Sequence, residues 1–414
     1  MRLSNKDLYR NHWLLLLTGF MLVFFSGFGQ TVFIGVHIPF IRESFNLSHT
    51  QLSGLYSAAT LLSGIILFFS GKLLDKIMPR YFVAITLTGL AAGAFLLSWS
   101  TVPAVLLIAF FLVRQFGQGL MTLTNTVSMN RYLENARGRA MAITSFGMPI
   151  QLLVFPFMAA ILIENMGWEN AYRSYGYFIL FILLPMFFLL FRHHDRTAHT
   201  AWQKTVEEEE MSSVENPVKQ WTRLAVLKDW RLYILLMVMI VDPCFSTAIF
   251  YYQGELSLSK GLEATDIVSA FPFFTVASVC TMYIAGSLLD RFGEKYLLIC
   301  APLFYICGLS CLIIIEGMPS LYTGLVALGI SMGTMSVLGG PLLAHLYGTR
   351  HLSSIKSILS SVFIVGTAIS PLLVGYNLDQ GVAIAQILMI FAVYAFIAWL
   401  IMIIFLRNHL NQDS

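Results

Sequence analysis

The chain has 414 residues, of which 57% are hydrophobic and only 11% charged, against about 25% charged in soluble domains. With a mean hydropathy of +0.75, it is too apolar for an ordinary water-soluble enzyme, and at roughly 20 apolar residues per crossing twelve spans fit its length. The net charge of +3 forms no basic stripe interleaved with aromatics, which excludes a nucleic-acid partner. Long apolar runs, such as Leu180 to Phe191 and Ile387 to Phe405, are unlike the short alternating segments of a transmembrane barrel. An all-α membrane protein is therefore expected.

The apolar stretches, broken at charge, Pro and Gly clusters, predict a first span near residues 13–38. Basic residues precede it without a small-residue cleavage site, so it reads as a retained helix rather than a removed leader. Inside it, Ser26-Gly27-Phe28-Gly29-Gln30-Thr31 sets helix-loosening glycines beside an amide and hydroxyls, making Gln30 and Thr31 candidate substrate ligands. The second span, 50–71, ends on Gly71-Lys72-Leu73-Leu74-Asp75-Lys76, and the third covers 81–99. The fourth, 103–129, carries Arg114 roughly 16 Å deep at 1.5 Å per residue, with Gln118 on the same face at i+4 and Asn125 further along. Gln151, near Pro149, falls in the fifth span, 139–163. Gly167-Trp168 then leads to the sixth, 171–191.

Residues 192–231, with Glu207, Glu208, Glu209 and Glu210, read as a solvated linker between two six-helix halves, 1–191 and 232–414. The second half is predicted to cross at 232–254, 265–286, 296–315, 319–344, 353–376 and 381–406. In its first span Asp242 is followed by Pro243, which removes a backbone donor, and Tyr251 lies toward the external end. The eighth span ends on Gly286-Ser287-Leu288-Leu289-Asp290-Arg291, 215 residues after the matching Gly71 stretch. The repeated pattern joins a small residue suited to close helix approach with an Asp at a tight turn. Phe271, Phe273 and Phe274 read as core or lipid-facing packing, and His37 and His345 as interfacial. The five cysteines lie in apolar stretches without a CxxC pair or His cluster, so they read as packing residues and no metal site or cofactor is expected.

Lys and Arg near membrane ends favour the cytoplasm. With a cytoplasmic N-terminus, 21 of the 25 basic residues fall on that side, placing both termini and the linker there. An ionised side chain near the bilayer centre costs about 2.5 to 3.5 kcal/mol, so Arg114 and Asp242 are expected to face the aqueous interior. Arg114 could dock a carboxylate bidentately or modulate a proton site; carbonyls or a partner acid could instead neutralise it. Asp242 is a candidate proton acceptor, with an ion pair to Arg114 or a helix-end hydrogen bond as the alternative. There is no filter loop, hydrolytic constellation or Walker motif, which leaves gradient-driven transport.

The Gly71 and Gly286 loops resemble the Gly-x-Leu-x-Asp-(Arg/Lys)-x-Gly-(Arg/Lys)-(Arg/Lys) loop of the major facilitator superfamily. That resemblance implies two pseudo-symmetric six-helix bundles, with Gly71, Asp75, Arg80, Gly286, Asp290 and Arg291 in cytoplasmic gating. Asn130-Arg131-Tyr132, Arg137-Gly138-Arg139-Ala140 and Gly167-Trp168 resemble its monocarboxylate and oxalate branch, which implies a small organic anion. Met282 stands where that branch commonly has an Arg. The combined expectation is a monomeric, proton-coupled symporter of a small organic acid in a bacterial inner membrane. The alternatives are an exporter of an amphiphilic drug or siderophore-like compound, and a substrate sensor with a carrier-like fold.

Overall fold

Hydrocarbon offers no partner to a backbone N–H or C=O, so a chain this apolar closes those bonds within helices. The computed structural model describes residues 5–133, 136–191, 223–347 and 352–409, and no strand occurs among them. Eleven helical stretches are long and apolar enough to cross a membrane. Ten correspond to single expected spans, and the eleventh, Arg139–Phe191, runs for 53 residues through both the fifth and the sixth. At 1.5 Å per residue it is about 80 Å long, far more than one crossing of a core about 30 Å thick. It turns at Gly167, where φ 81° and ψ 158° break the helix; positive φ is open to glycine at little steric penalty. Trp168 anchors the turn by donating from Nε1 to Ser44 Oγ at 2.9 Å. The expected linker also shortens at its C-terminal end, since Arg223–Lys228 is helical and the next helix begins at Trp230.

The chain divides into two units, Met1–Phe45 with Leu55–Asn216, and Asn46–Gly54 with Pro217–Ser414. In the first unit, Phe28, Phe33, Phe155, Tyr172 and Tyr175 pack edge to face around the first span. His37 lies among them with no exposed surface, which corrects its expected interfacial position. Its Nδ1 is 3.0 Å from the Phe33 carbonyl and must donate, because a carbonyl can only accept. Nε2 faces Tyr175 Oη at 3.5 Å, and the imidazole is 4.4 Å from the Tyr172 ring. A neutral ring satisfied in this way is a core residue.

In the second unit the seventh span comes in three pieces, Trp230–Met239, Val241–Tyr251 and Gln253–Ser259. The first break falls two residues before Asp242, beside the Met239 carbonyl, whose i+4 donor Pro243 removes. The eighth and tenth spans meet through glycines. A Cβ on Gly329 would lie 2.5 Å from the Phe274 carbonyl oxygen, and one on Gly333 would collide with that of Ser278. At this small-xxx-small pair the helices approach closely, whereas among the described residues nothing lies within 4 Å of a Cβ at Gly286. The second unit also holds the start of the His49–Lys76 helix. There the Asp379 carboxylate accepts from the His49 and Thr50 amides at 3.0 and 2.8 Å, satisfying two donors that a helix start leaves open.

Candidate functional site

Two spans of the first unit lose α-geometry where they meet. The first becomes a 3-10 turn at Ser26–Gly29, and the fourth opens into a π-helix over Val113–Leu120. Mid-helix breaks of both kinds often mark functional or strained sites. Their backbones cross at two glycines: a Cβ on Gly117 would stand 2.7 Å from Gly29 Cα and 2.8 Å from its nitrogen. The side chain that follows from this crossing is Arg114, 5% exposed.

Arg114 Nη1 donates to the Gly29 carbonyl at 3.0 Å and to Thr31 Oγ1 at 3.3 Å. Its guanidinium carbon stands 5.4 Å from the centre of the Tyr56 ring, within cation–π range. Thr31 Oγ1 also meets Tyr56 Oη at 2.8 Å. Backbone carbonyls were one of the expected ways of neutralising this charge, and a single carbonyl does part of it. Among the described residues no acid pairs with Arg114, and its buried Nε donates to nothing. A full positive charge is thus met by one peptide oxygen, one hydroxyl and one aromatic face. A site of this kind favours an added anion, because an unmet donor with few protein partners is costly to bury.

The expected ligands separate into distinct groups. Thr31 touches Arg114 directly. Gln30 and Gln118 are half-buried beside the crossing, and their side chains make no hydrogen bond to a described residue. Gln151 sits behind the turn, accepting from Ser26 Oγ at 3.3 Å. Asn125 is tied to Thr144 Oγ1 at 3.2 Å and belongs to the contact between the fourth and fifth spans. Sequence reasoning missed Gln115, which takes a bond from Ser63 at 2.9 Å and gives one to Ser70 at 3.4 Å. It also missed Tyr56. Adjacency to Arg114 was the available signal for Gln115; for Tyr56, 58 residues away in sequence, there was none.

The other expected site residues belong to the second unit or to the loops. Asp242 Oδ1 accepts from Ser246 Oγ, one helical turn on, at 2.9 Å, and no described residue forms an ion pair with Asp242. Tyr251 is fully buried, with its ring 4.9 Å from that of Tyr252. Arg80 donates to Tyr81 Oη at 3.0 Å, and Arg291 is exposed. Gly71, Asp75 and Asp290, as well as His345, lie outside the residues whose side chains are described.

The Major Facilitator Superfamily model matches residues 19–279 and 261–413. The probable sulfoacetate transporter SauU of Cupriavidus necator is 23% identical over 283 residues, 66% of this chain and 64% of that protein. The riboflavin transporter RibZ of Clostridioides difficile is 23% identical over 164 residues, 39% of this chain and 36% of that one. The chain therefore matches less than two thirds of the length of either relative. A bacterial homologue of the human lysosomal transporter Spinster, solved in an inward-facing and occupied conformation, shares the fold. Its TM-score is 0.71 at 14% identity, covering 98% of both chains. With the family model matching nearly the whole sequence, the chain belongs to the Major Facilitator Superfamily and is a multi-pass membrane protein.

Proposed function

We propose that the chain is a proton-coupled symporter of a small organic acid in a bacterial inner membrane, working as a monomer with both termini in the cytoplasm. The observation that carries this reading is the buried guanidinium of Arg114, which has its Nε unspent and no acid against it among the described residues. Arg binds carboxylates and related oxyanions through a planar fork, and its unmet Nε leaves part of that fork available. Gln30 and Gln118, at the same crossing, supply amides for the rest of a small polar cargo. Asp242, in an interrupted span of the other unit, is the candidate proton acceptor, since ionisable residues at membrane depth mark ion and proton pathways. The similarity to SauU, a probable transporter of sulfoacetate, lends support to a small organic anion.

The test is uptake by purified protein in proteoliposomes under an imposed pH gradient, using labelled sulfoacetate, lactate and oxalate. Accumulation of at least one acid is expected, with loss on adding a protonophore. Arg114→Gln should abolish uptake while protein still reaches the membrane, and retained transport at normal affinity would refute the role. Asp242→Asn should uncouple uptake from the gradient; unchanged pH dependence would remove it from the mechanism. Met282, at the position where the monocarboxylate branch has an Arg, and the similarity to RibZ favour a second reading, export of an amphiphile. Outward movement of riboflavin without acid uptake would select it.

A further inference from the structure

Asp242 has two differently placed oxygens. Oδ1 accepts from Ser246 Oγ at 2.9 Å, and Ser246 Oγ lies 3.1 Å from Tyr305 Oη. A serine hydroxyl carries one proton. With that proton given to the carboxylate, Ser246 meets Tyr305 as an acceptor, so the phenol donates. The hydrogen bonds therefore run in one direction, from Tyr305 through Ser246 to Asp242. Tyr305 comes from the Glu294–Ile314 helix and has no exposed surface, and Ser246 is 7% exposed. Oδ2 takes no hydrogen bond from any described residue, so one side of the carboxylate is backed by buried hydroxyls and the other is left open.

We infer that Ser246 and Tyr305 are positioning residues of the proton site, a two-hydroxyl backing that aims Asp242 Oδ2 outward and ties the seventh span to the ninth. The inference rests on Asp242 being that site. Hydrogen bonds to an ionised acceptor are roughly twice as strong as neutral ones, so a proton arriving at Oδ2 weakens the bond at Oδ1 and loosens the tie to the ninth span. A protonation event on one helix is thereby felt on another. The other titratable groups nearby are otherwise engaged. Cys244 Sγ donates to the Gly366 carbonyl at 3.3 Å, and Tyr394, from the twelfth span, donates to the Met237 carbonyl at 3.4 Å. No described basic side chain bonds Asp242.

The experiment needs no cargo. The full-length protein in proteoliposomes is titrated with protons alone, and the carboxyl C=O stretch is followed by infrared difference spectroscopy. A band absent from Asp242→Asn identifies the site. In Tyr305→Phe and Ser246→Ala that band is expected to change frequency and its midpoint to move by about half a pH unit or more, with Ser246→Thr restoring both. A band and midpoint unchanged in Tyr305→Phe and Ser246→Ala would overturn the backing role, as would the same change in a control from the other unit such as Ser174→Ala. If Asp242→Asn removes no titrating band, the proton-site reading itself fails, and the backing role with it. Thermal unfolding of each variant separates these outcomes from misfolding, and if Tyr305→Phe does not fold, Ser246→Ala with Ser246→Thr decides.

Discussion

A guanidinium inside a membrane helix is stable only in company, and the company around Arg114 is modest. The Gly29 carbonyl and Thr31 hydroxyl occupy Nη1, and the Tyr56 ring covers one face. A lysine there would keep the charge but offer a point in place of a fork. Arg114→Lys is expected to raise the KM for acid uptake at least about tenfold, near 1.4 kcal/mol, with unchanged yield of folded protein; an unaltered KM would show that charge alone suffices. Arg114 was legible in the sequence because a charge within an apolar run stands out in a linear scan, whatever the tertiary structure. Ser246 and Tyr305 were not. Hydroxyls are common in spans, and only the rotation of two helices about their axes brings these two within 3.1 Å. His37 misled for a related reason: a half-polar ring near a span end looks interfacial until its neighbours prove to be Phe33, Tyr172 and Tyr175.

Helices are held here by what glycine omits. At Gly117 an added methyl would meet the backbone of Gly29, which cannot yield, so Gly117→Ala is expected to lose about 1 to 3 kcal/mol as overpacking and to lower uptake with it. At Gly286 an added methyl meets no described residue within 4 Å. Gly286→Ala should leave the thermal unfolding midpoint equal or slightly raised, because alanine is the better helix former. A lower midpoint for Gly286→Ala than for Gly117→Ala would reverse the assignment of close contacts. The real pair, Gly329 and Gly333, is a four-residue glycine spacing that could have been read from the sequence, but the repeated loop motif drew attention to Gly286 first. Asp379 is a separate case. Its two bonds to the start of the His49–Lys76 helix join residues 330 positions apart, which no local pattern announces. Asp379→Ala should lower stability by about 1 kcal/mol, the usual worth of a helix cap, and Asp379→Asn by less; identical unfolding of all three proteins would show the cap to be idle.

Hydropathy located most of the membrane-length helices, because it is read residue by residue against a slab of fixed thickness; the placement of Lys and Arg supplies the proposed orientation. The hairpin at Gly167 falls between the expected fifth and sixth spans, and the positive φ there fixes the residue at which the chain turns, which hydropathy leaves open. Reporters fused at either terminus, or within residues 192–222, should report a cytoplasmic location, and a periplasmic signal from any of them would invert the proposed topology. The two units also echo each other in a way no span count reveals. The first span breaks at Ser26–Gly29 and the seventh at Ile240, close to equivalent positions in a repeat of 215 residues. In the first unit that break delivers a peptide oxygen to a cation. An anchor supplied by main chain is indifferent to which side chains surround it, so Gln30 and Gln118, which bond no described residue, are free to drift while the charge keeps its place. On the role proposed for these two amides, cargo preference can diverge by ordinary substitution there, with the two facing glycines as the part of the inheritance that cannot be spent.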